Sequence, residues 1–238
     1  MIAPFEIVKT VDLPAPAALV WFALTEPQGL AGWTMPIAPQ RDSPTVTLWR
    51  DAQHLSLHIP TGDDGSFQEF DYKIEPLPTG ETNLRFTHAG LQSASPQSIE
   101  MTDLAWDQYF ATLRVYLRDF AHLVPAYIEA EAPTQAFGEA PSAAWNNLRA
   151  ALGLDDDANV GASVRIKRVG VDPLKGTVDY LTERFVGVAG RDFLVRFHRR
   201  EAIGLPIAVA HHQYLDPDHA VLDVESERLA WIDWLAEL

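Results

Sequence analysis

The chain has 238 residues, 47% of them apolar and 21% charged, the balance of an ordinary globular protein with room for one large domain or two small ones. The absence of cysteine excludes disulfides, thiolate-held zinc, iron–sulfur clusters and thiol nucleophiles. A formal charge of -15 repels phosphate backbones and anionic surfaces, so nucleic acid is not an expected partner; no apolar run reaches the roughly 18 residues of a membrane span, the opening residues lack a basic-then-apolar leader, and a cytoplasmic location is the expectation.

Phe5, Ile7 and Val11 alternate with Glu6, Thr10 and Asp12, which predicts a strand closed by Pro14 and Pro16. Residues 17–25 read as a helix with Pro16 near its first turn, and Pro27 and Gly29 lead into a short helical turn that ends at Trp33. Four antiparallel strands follow. Val46 and Leu48 mark the first; Leu55, Leu57 and Ile59 the second; Phe70, Tyr72 and Ile74 the third; Leu84, Phe86 and His88 the fourth. The turns Thr61-Gly62-Asp63-Asp64-Gly65 and Pro76-Leu77-Pro78-Thr79-Gly80 suit hairpins. After Ser95-Pro96, the residues Trp106, Phe110, Leu113, Leu117 and Phe120 recur at helical spacing, flanked by Tyr109 and Tyr116. They form a wide apolar stripe on a helix about 30 Å long.

Residues 129–135, small and polar around Pro133, read as a linker. It divides residues 1–132, with 7 Lys/Arg against 17 Asp/Glu, from residues 133–238, with 11 against 16. The second segment repeats the order in shorter form. A helix spans residues 142–152 with Gly153 as its stop. Strands are expected at Val164 and Ile166, within 177–188, at Phe193, Val195 and Phe197, and at Leu205, Ile207 and Val209. A closing helix covers 224–238, with Val224, Arg228, Trp231, Leu235 and Leu238 on one face. Helix, meander and closing helix thus occur twice, which points to a tandem α+β arrangement in two domains, 1–132 and 133–238.

His54 and His58 would share a helix face, but in a strand they stand about 13 Å apart, on the face opposite Leu55 and Leu57, and cannot share a metal by themselves. His88 falls in phase with Leu84 and Phe86; it is either a core histidine satisfied by a neighbour or the polar group that orients an apolar ligand. Arg50 falls in phase with Val46 and Leu48, where a charge needs a carboxylate or an acidic ligand group. The stretch Asp155-Asp156-Asp157 fails as a calcium loop, because its glycine comes one place late and Ile166 stands where glutamate belongs. No cofactor signature occurs, and no Ser/His/Asp or paired-carboxylate set can be placed from the residues alone, so a strong claim of catalysis has no support.

Phe5-Glu6-Ile7-Val8 through Pro14-Ala15-Pro16, then Val20-Trp21, Leu24-Thr25 and Gly29-Leu30-Ala31-Gly32-Trp33, resemble the opening of START-like (SRPBCC superfamily) proteins, in the branch related to the activator of heat-shock-protein-90 ATPase. Residues 84–91 and the helix from Trp106 to Phe120 fit the same resemblance, which covers about residues 4–122. It implies a helix-grip fold, with a curved antiparallel sheet wrapped around a long C-terminal helix, here in tandem with the second copy degenerate. It also implies a cavity between helix and sheet, whose candidate lining is Trp33, Arg50, Tyr72, Phe86, His88, Trp106, Tyr109, Phe110, Leu113 and Tyr116. The expected partner is a small apolar or aromatic ligand, bound without catalysis. Two alternatives stay open: a regulatory protein that docks a chaperone-like partner through its acidic surface, and a polyketide-cyclase-like or hydrolase-like enzyme. Fold alone does not choose among them.

Overall fold

A computed structural model describes residues 2–93, 95–133, 142–155, 157–218 and 221–238. The chain is α+β and divides into two compact units, residues 1–122 and 123–238.

The first unit opens with β1 (Ala3–Leu13), which stops at Pro14, followed by α1 (Ala17–Thr25) and α2 (Pro27–Ala31). A meander of β2 (Val46–Arg50), β3 (His54–Pro60), β4 (Phe67–Pro76) and β5 (Thr82–Gln92) then leads into α3 (Pro96–Val115). The Ser95 hydroxyl accepts from the Ser98 amide, and Pro96 occupies the first turn, so the sequence sets the start of α3 locally. Its last turn, residues 116–120, widens into a π-helical turn. All strand pairs are antiparallel, in the order β1-β5-β4-β3-β2, so the first strand returns to lie beside the last. α3 packs on the inner face of this sheet through Phe86, His88 and Lys9; the Lys9 ammonium bridges Asp103 at 2.9 Å and Asp107 at 2.7 Å.

The second unit contains β6 (Val124–Glu131), α4 (Ala143–Ala151), β7 (Ser163–Ile166), β8 (Leu174–Leu181), β9 (Phe185–Gly190), β10 (Phe193–His198), β11 (Ala208–Leu215) and α5 (Val224–Ala236). Its antiparallel sheet runs β6-β11-β10-β9-β8-β7. Again the first strand pairs with the last, and again a helix closes the unit. Its core joins Ile128, Trp145, Leu148, Val188, Val195, Phe197 and Trp231. α4 begins at Ser142, whose side chain accepts from the Trp145 amide, and ends before Gly153 at φ 72°, a left-handed backbone that favours glycine.

Three expectations change. Residues 129–131 are the end of strand β6 rather than linker, and β6 pairs with β11, so the units part at 122/123 rather than at 132/133; residues 134–135 lie outside the described residues. The strand placed at Leu205–Val209 begins at Ala208 and runs to Leu215, leaving Leu205 exposed. Arg50 is exposed as well. The β2–β3 register shifts between Val46 and Leu48: Val46 faces Leu57, while Leu48 faces Ser56 and Trp49 faces Leu55. One extra residue therefore turns Trp49 inward and Leu48 and Arg50 outward.

Candidate functional site

The inner face of the first sheet is a field of rings. Phe70, Tyr72 and Ile74 of β4 stand opposite His88, Phe86 and Leu84 of β5, and Ile7 and Lys9 of β1 stand opposite His88 and Phe86. Side chains of alternate residues share a face, so strand register alone gathers these groups. α3 brings Trp106 and Phe110 down onto them, four residues apart and hence one above the other. The Phe86 ring lies 4.2 Å from Trp106, 5.2 Å from Phe110 and 4.8 Å from Tyr72. Trp33 stacks on Phe110 at 6.2 Å and donates its indole N–H to the Ala23 carbonyl at 2.8 Å.

Of the ten expected residues, Trp33, Phe86, His88, Phe110, Leu113 and Tyr116 are buried. Tyr116 is fixed by a close approach: a methyl group added to Gly32 would stand 2.4 Å from its ring. Burial raises the Tyr116 phenol to about 12, and burial likewise pushes up the Tyr72 phenol. Tyr72, Trp106 and Tyr109 are only half-buried, with Tyr109 against Trp106 at 5.5 Å. Together with Leu57 and Phe70, also half-buried, they leave the β3–β4 side of the cluster partly uncovered. Phe86, Trp106 and Phe110 thus pack on one another between helix and sheet and, with Tyr72 and Phe70, form an aromatic wall. Arg50 takes no part in this wall.

His88 lies at the centre, 5% exposed. Phe70 stacks on it at 4.4 Å, and Phe5 meets it edge-on at 5.0 Å. Trp106 donates its indole N–H to Nδ1 at 3.0 Å. An indole can only donate, so Nδ1 carries the lone pair and the imidazole proton is on Nε2. That Nε2 is buried and has no hydrogen-bond partner among the described residues. Burial lowers the imidazole to about 4, which keeps the ring neutral at pH 7. The site can therefore offer one N–H donor from within apolar walls. Phe70 and Phe5 were not among the expected residues, although Phe70 shares the phase of Tyr72, and Phe5 that of Ile7.

The outer face carries a different group. His54 Nε2 lies 2.6 Å from Asp71 Oδ2, and the Ser56 hydroxyl donates to the same oxygen at 2.5 Å. Burial raises the Asp71 carboxyl, but the hydrogen bonds from Ser56 and His54 outweigh it and hold it below its ordinary value. The trio does not form a nucleophilic triad: the serine proton points at the carboxylate, and the imidazole uses one nitrogen toward both partners. His58 Nδ1 pairs across the strands with Glu69 at 2.9 Å. Among the described residues no group of three or more His, Asp or Glu is placed to hold a metal ion, and no helix is long and apolar enough to cross a membrane.

The fold and site define an α+β protein of antiparallel sheets, each followed by a C-terminal helix, with an aromatic inner face in the first unit. No protein-family model matches the chain, and no curated protein matches it. Among solved structures, it is similar to protein MLL2253 from Mesorhizobium loti, with 20% identity, 48% of this chain and 97% of the other covered, and a TM-score of 0.39. It is also similar to the Aha1 dimer from Colwellia psychrerythraea, with 17% identity, 48% and 96% covered, and a TM-score of 0.38. DynU16, from the dynemicin biosynthetic locus, covers 97% of this chain with 95% of its own, at 12% identity and a TM-score of 0.39. Likeness at this level carries no argument about activity.

Proposed function

We propose that the chain is a START-like protein of two tandem helix-grip units, and that the first unit binds a small, largely apolar aromatic molecule against its ring-lined inner face without acting on it chemically. The order β1-β5-β4-β3-β2 with α3 on the inner face supports the helix-grip reading. The tandem reading is supported residue by residue: Ile7 stands opposite His88 and Ile128 opposite His211, each on the last strand before a closing helix, and in both units a tryptophan of that helix donates to Nδ1 of the histidine.

The observation that carries the binding reading is the buried Nε2–H of His88, set among half-covered aromatic rings, which lacks an acceptor among the described residues. An unpaired buried donor costs about 1–3 kcal/mol, and a ligand that brings an acceptor recovers that cost. Its rings would replace water over Tyr72, Trp106 and Tyr109, at roughly 25 cal/mol per Å² of apolar area buried. Titration of the full chain with a panel of aromatic phenols and ketones tests this by NMR of the His88 imidazole nitrogens. The expected result is a saturable shift at His88 and a raised melting temperature, both lost in Trp106→Ala. A panel that leaves His88 unmoved removes the assignment.

A further inference from the structure

The second unit repeats the histidine–tryptophan bond in a more polar setting. Trp231 on α5 donates to His211 Nδ1 on β11 at 3.2 Å. Arg168, in the loop after β7, lays its guanidinium over the Trp231 ring, 4.3 Å from the centroid. Its Nη1 donates to Glu227 Oε2 at 2.5 Å, and its side chain is wholly unexposed. Its Nε and Nη2 are buried without a hydrogen-bond partner among the described residues. These two form the parallel edge of the guanidinium that takes a planar oxygen acceptor. His211, also fully buried, receives the Trp231 proton at Nδ1, so its own proton is on the buried Nε2. Burial, then the charges of Arg168 and His212, push this imidazole down to about 3, against the opposing effect of a side-chain hydrogen bond with Gln213; it stays a neutral donor. Beside one tryptophan, two buried guanidinium N–H groups thus lack an acceptor among the described residues, and the imidazole adds a buried Nε2–H.

A cleft of about 520 Å³ lies beside this group and is separated from it by residues that contact it. Glu227, the partner of Arg168, lines it, as does Phe193, whose ring meets His211 edge-on at 6.0 Å. Leu174 and Leu222 supply further apolar wall. Charge decides what can enter. Glu227 already neutralises Arg168, and the cleft holds Asp172, Asp192 and Glu227 against Lys175 and Arg191. An anion would leave an uncompensated negative charge in a poorly solvated place, whereas a neutral acceptor adds none.

We propose that the second unit carries its own binding site for a neutral, largely apolar small molecule with a carbonyl oxygen, which accepts from Arg168 Nε and Nη2 while the apolar body lies against Phe193, Leu174 and Leu222. His211 Nε2 is a second donor to the same group. Trp231 organises both, since its ring face carries the guanidinium and its N–H fixes the imidazole tautomer. Arg168 Nε and Nη2 are themselves buried, so entry requires a side chain of the cleft wall to move aside.

Three probes of one shape separate the possibilities on the full chain: 2-acetonaphthone, 2-ethylnaphthalene and 2-naphthoate. The ketone is expected to shift the Arg168 Nε–H resonance downfield and to bind about tenfold tighter than the hydrocarbon, with the carboxylate no tighter than the hydrocarbon. Arg168→Lys keeps the charge but loses the paired donors, and should abolish the ketone's advantage. Since that change may unsettle the unit, Leu222→Trp, which fills the cleft and leaves Arg168 intact, should weaken all three probes without lowering the melting temperature. Equal binding of ketone and hydrocarbon, an Arg168 resonance unmoved at saturation, or tighter binding of the carboxylate each overturns the proposal. The His88 resonances, read in the same titrations, report the first-unit site separately.

Discussion

Among the described residues three buried imidazoles are held well below their ordinary value: His88, lowered to about 4 by burial; His211, lowered to about 3 by burial and the nearby Arg168; and His198, lowered to about 3 by burial and then the charges of Arg200 and Arg196. A histidine in the unfolded chain takes up its proton near pH 6.5. The folded chain refuses it until pH 4 or below. Between those values the unfolded state binds more protons, so stability is fully present above pH 6.5 and is lost as the pH falls through this window. Each histidine contributes about 1.4 kcal/mol per pH unit inside it. Urea unfolding from pH 7 to 5 is expected to show this acid slope, and His88→Gln should reduce the part contributed by the first unit. A slope unchanged by that substitution would show that His88 is not buried neutral. The position of His88 was legible in the sequence, because its phase with Leu84 and Phe86 fixes the face on which it lies. Its unpaired Nε2 was not, since that depends on which nitrogen Trp106 reaches from a helix 18 residues away.

Among the elements, β2 shows why a local pattern can point a charge the wrong way. Val46, Leu48 and Arg50 share one phase in a regular strand, yet the extra residue at the bulge reverses every face after it. Trp49 then turns inward to meet Trp21 edge-on at 5.2 Å, and Arg50 joins the outer face with His54. Burial of a tryptophan outweighs regular pairing, and no residue in the sequence marks the bulge. Thr47 lies between the two registers and faces no β3 residue in the ladder. Deleting Thr47 keeps Trp49 inward and should leave stability within about 1 kcal/mol of the parent. Deleting Ser56 in the facing strand instead turns Leu57 and Ile59 off the inner face and removes a hydrogen bond to Asp71; it should cost at least about 2 kcal/mol. Equal losses in urea unfolding would show that register is not set by this inner face. The capped helices raised no such difficulty: Ser95-Pro96 and Ser142 mark the starts of α3 and α4 through bonds made within three residues.

For the whole molecule, the informative departure is β6. Val124, Ala126, Ile128 and Ala130 alternate with Tyr127, Glu129 and Glu131, so a strand pattern was present. Two of its inward residues are alanines, however, and its end is rich in Glu and Ala, which gives weak contrast and invites a linker reading. The deciding information is non-local: β6 pairs with β11, more than 75 residues onward, from Glu131 opposite Ala208 to Val124 opposite Leu215. Arg200 closes the end with an ion pair to Glu131. Ile128 is 1% exposed and belongs to the core with Trp231. A fragment of residues 133–238 therefore loses an edge strand, exposes the hydrogen-bonding groups of β11, and forfeits the packing of Ile128, a loss on the order of 2–5 kcal/mol from that side chain alone. A fragment of residues 123–238 keeps all of these. Thermal unfolding followed by circular dichroism should show a higher, sharper transition for the longer fragment, with the shorter one aggregating or melting early. If the two melt together, β6 does not hold the second sheet, and the division of the chain returns to residue 132.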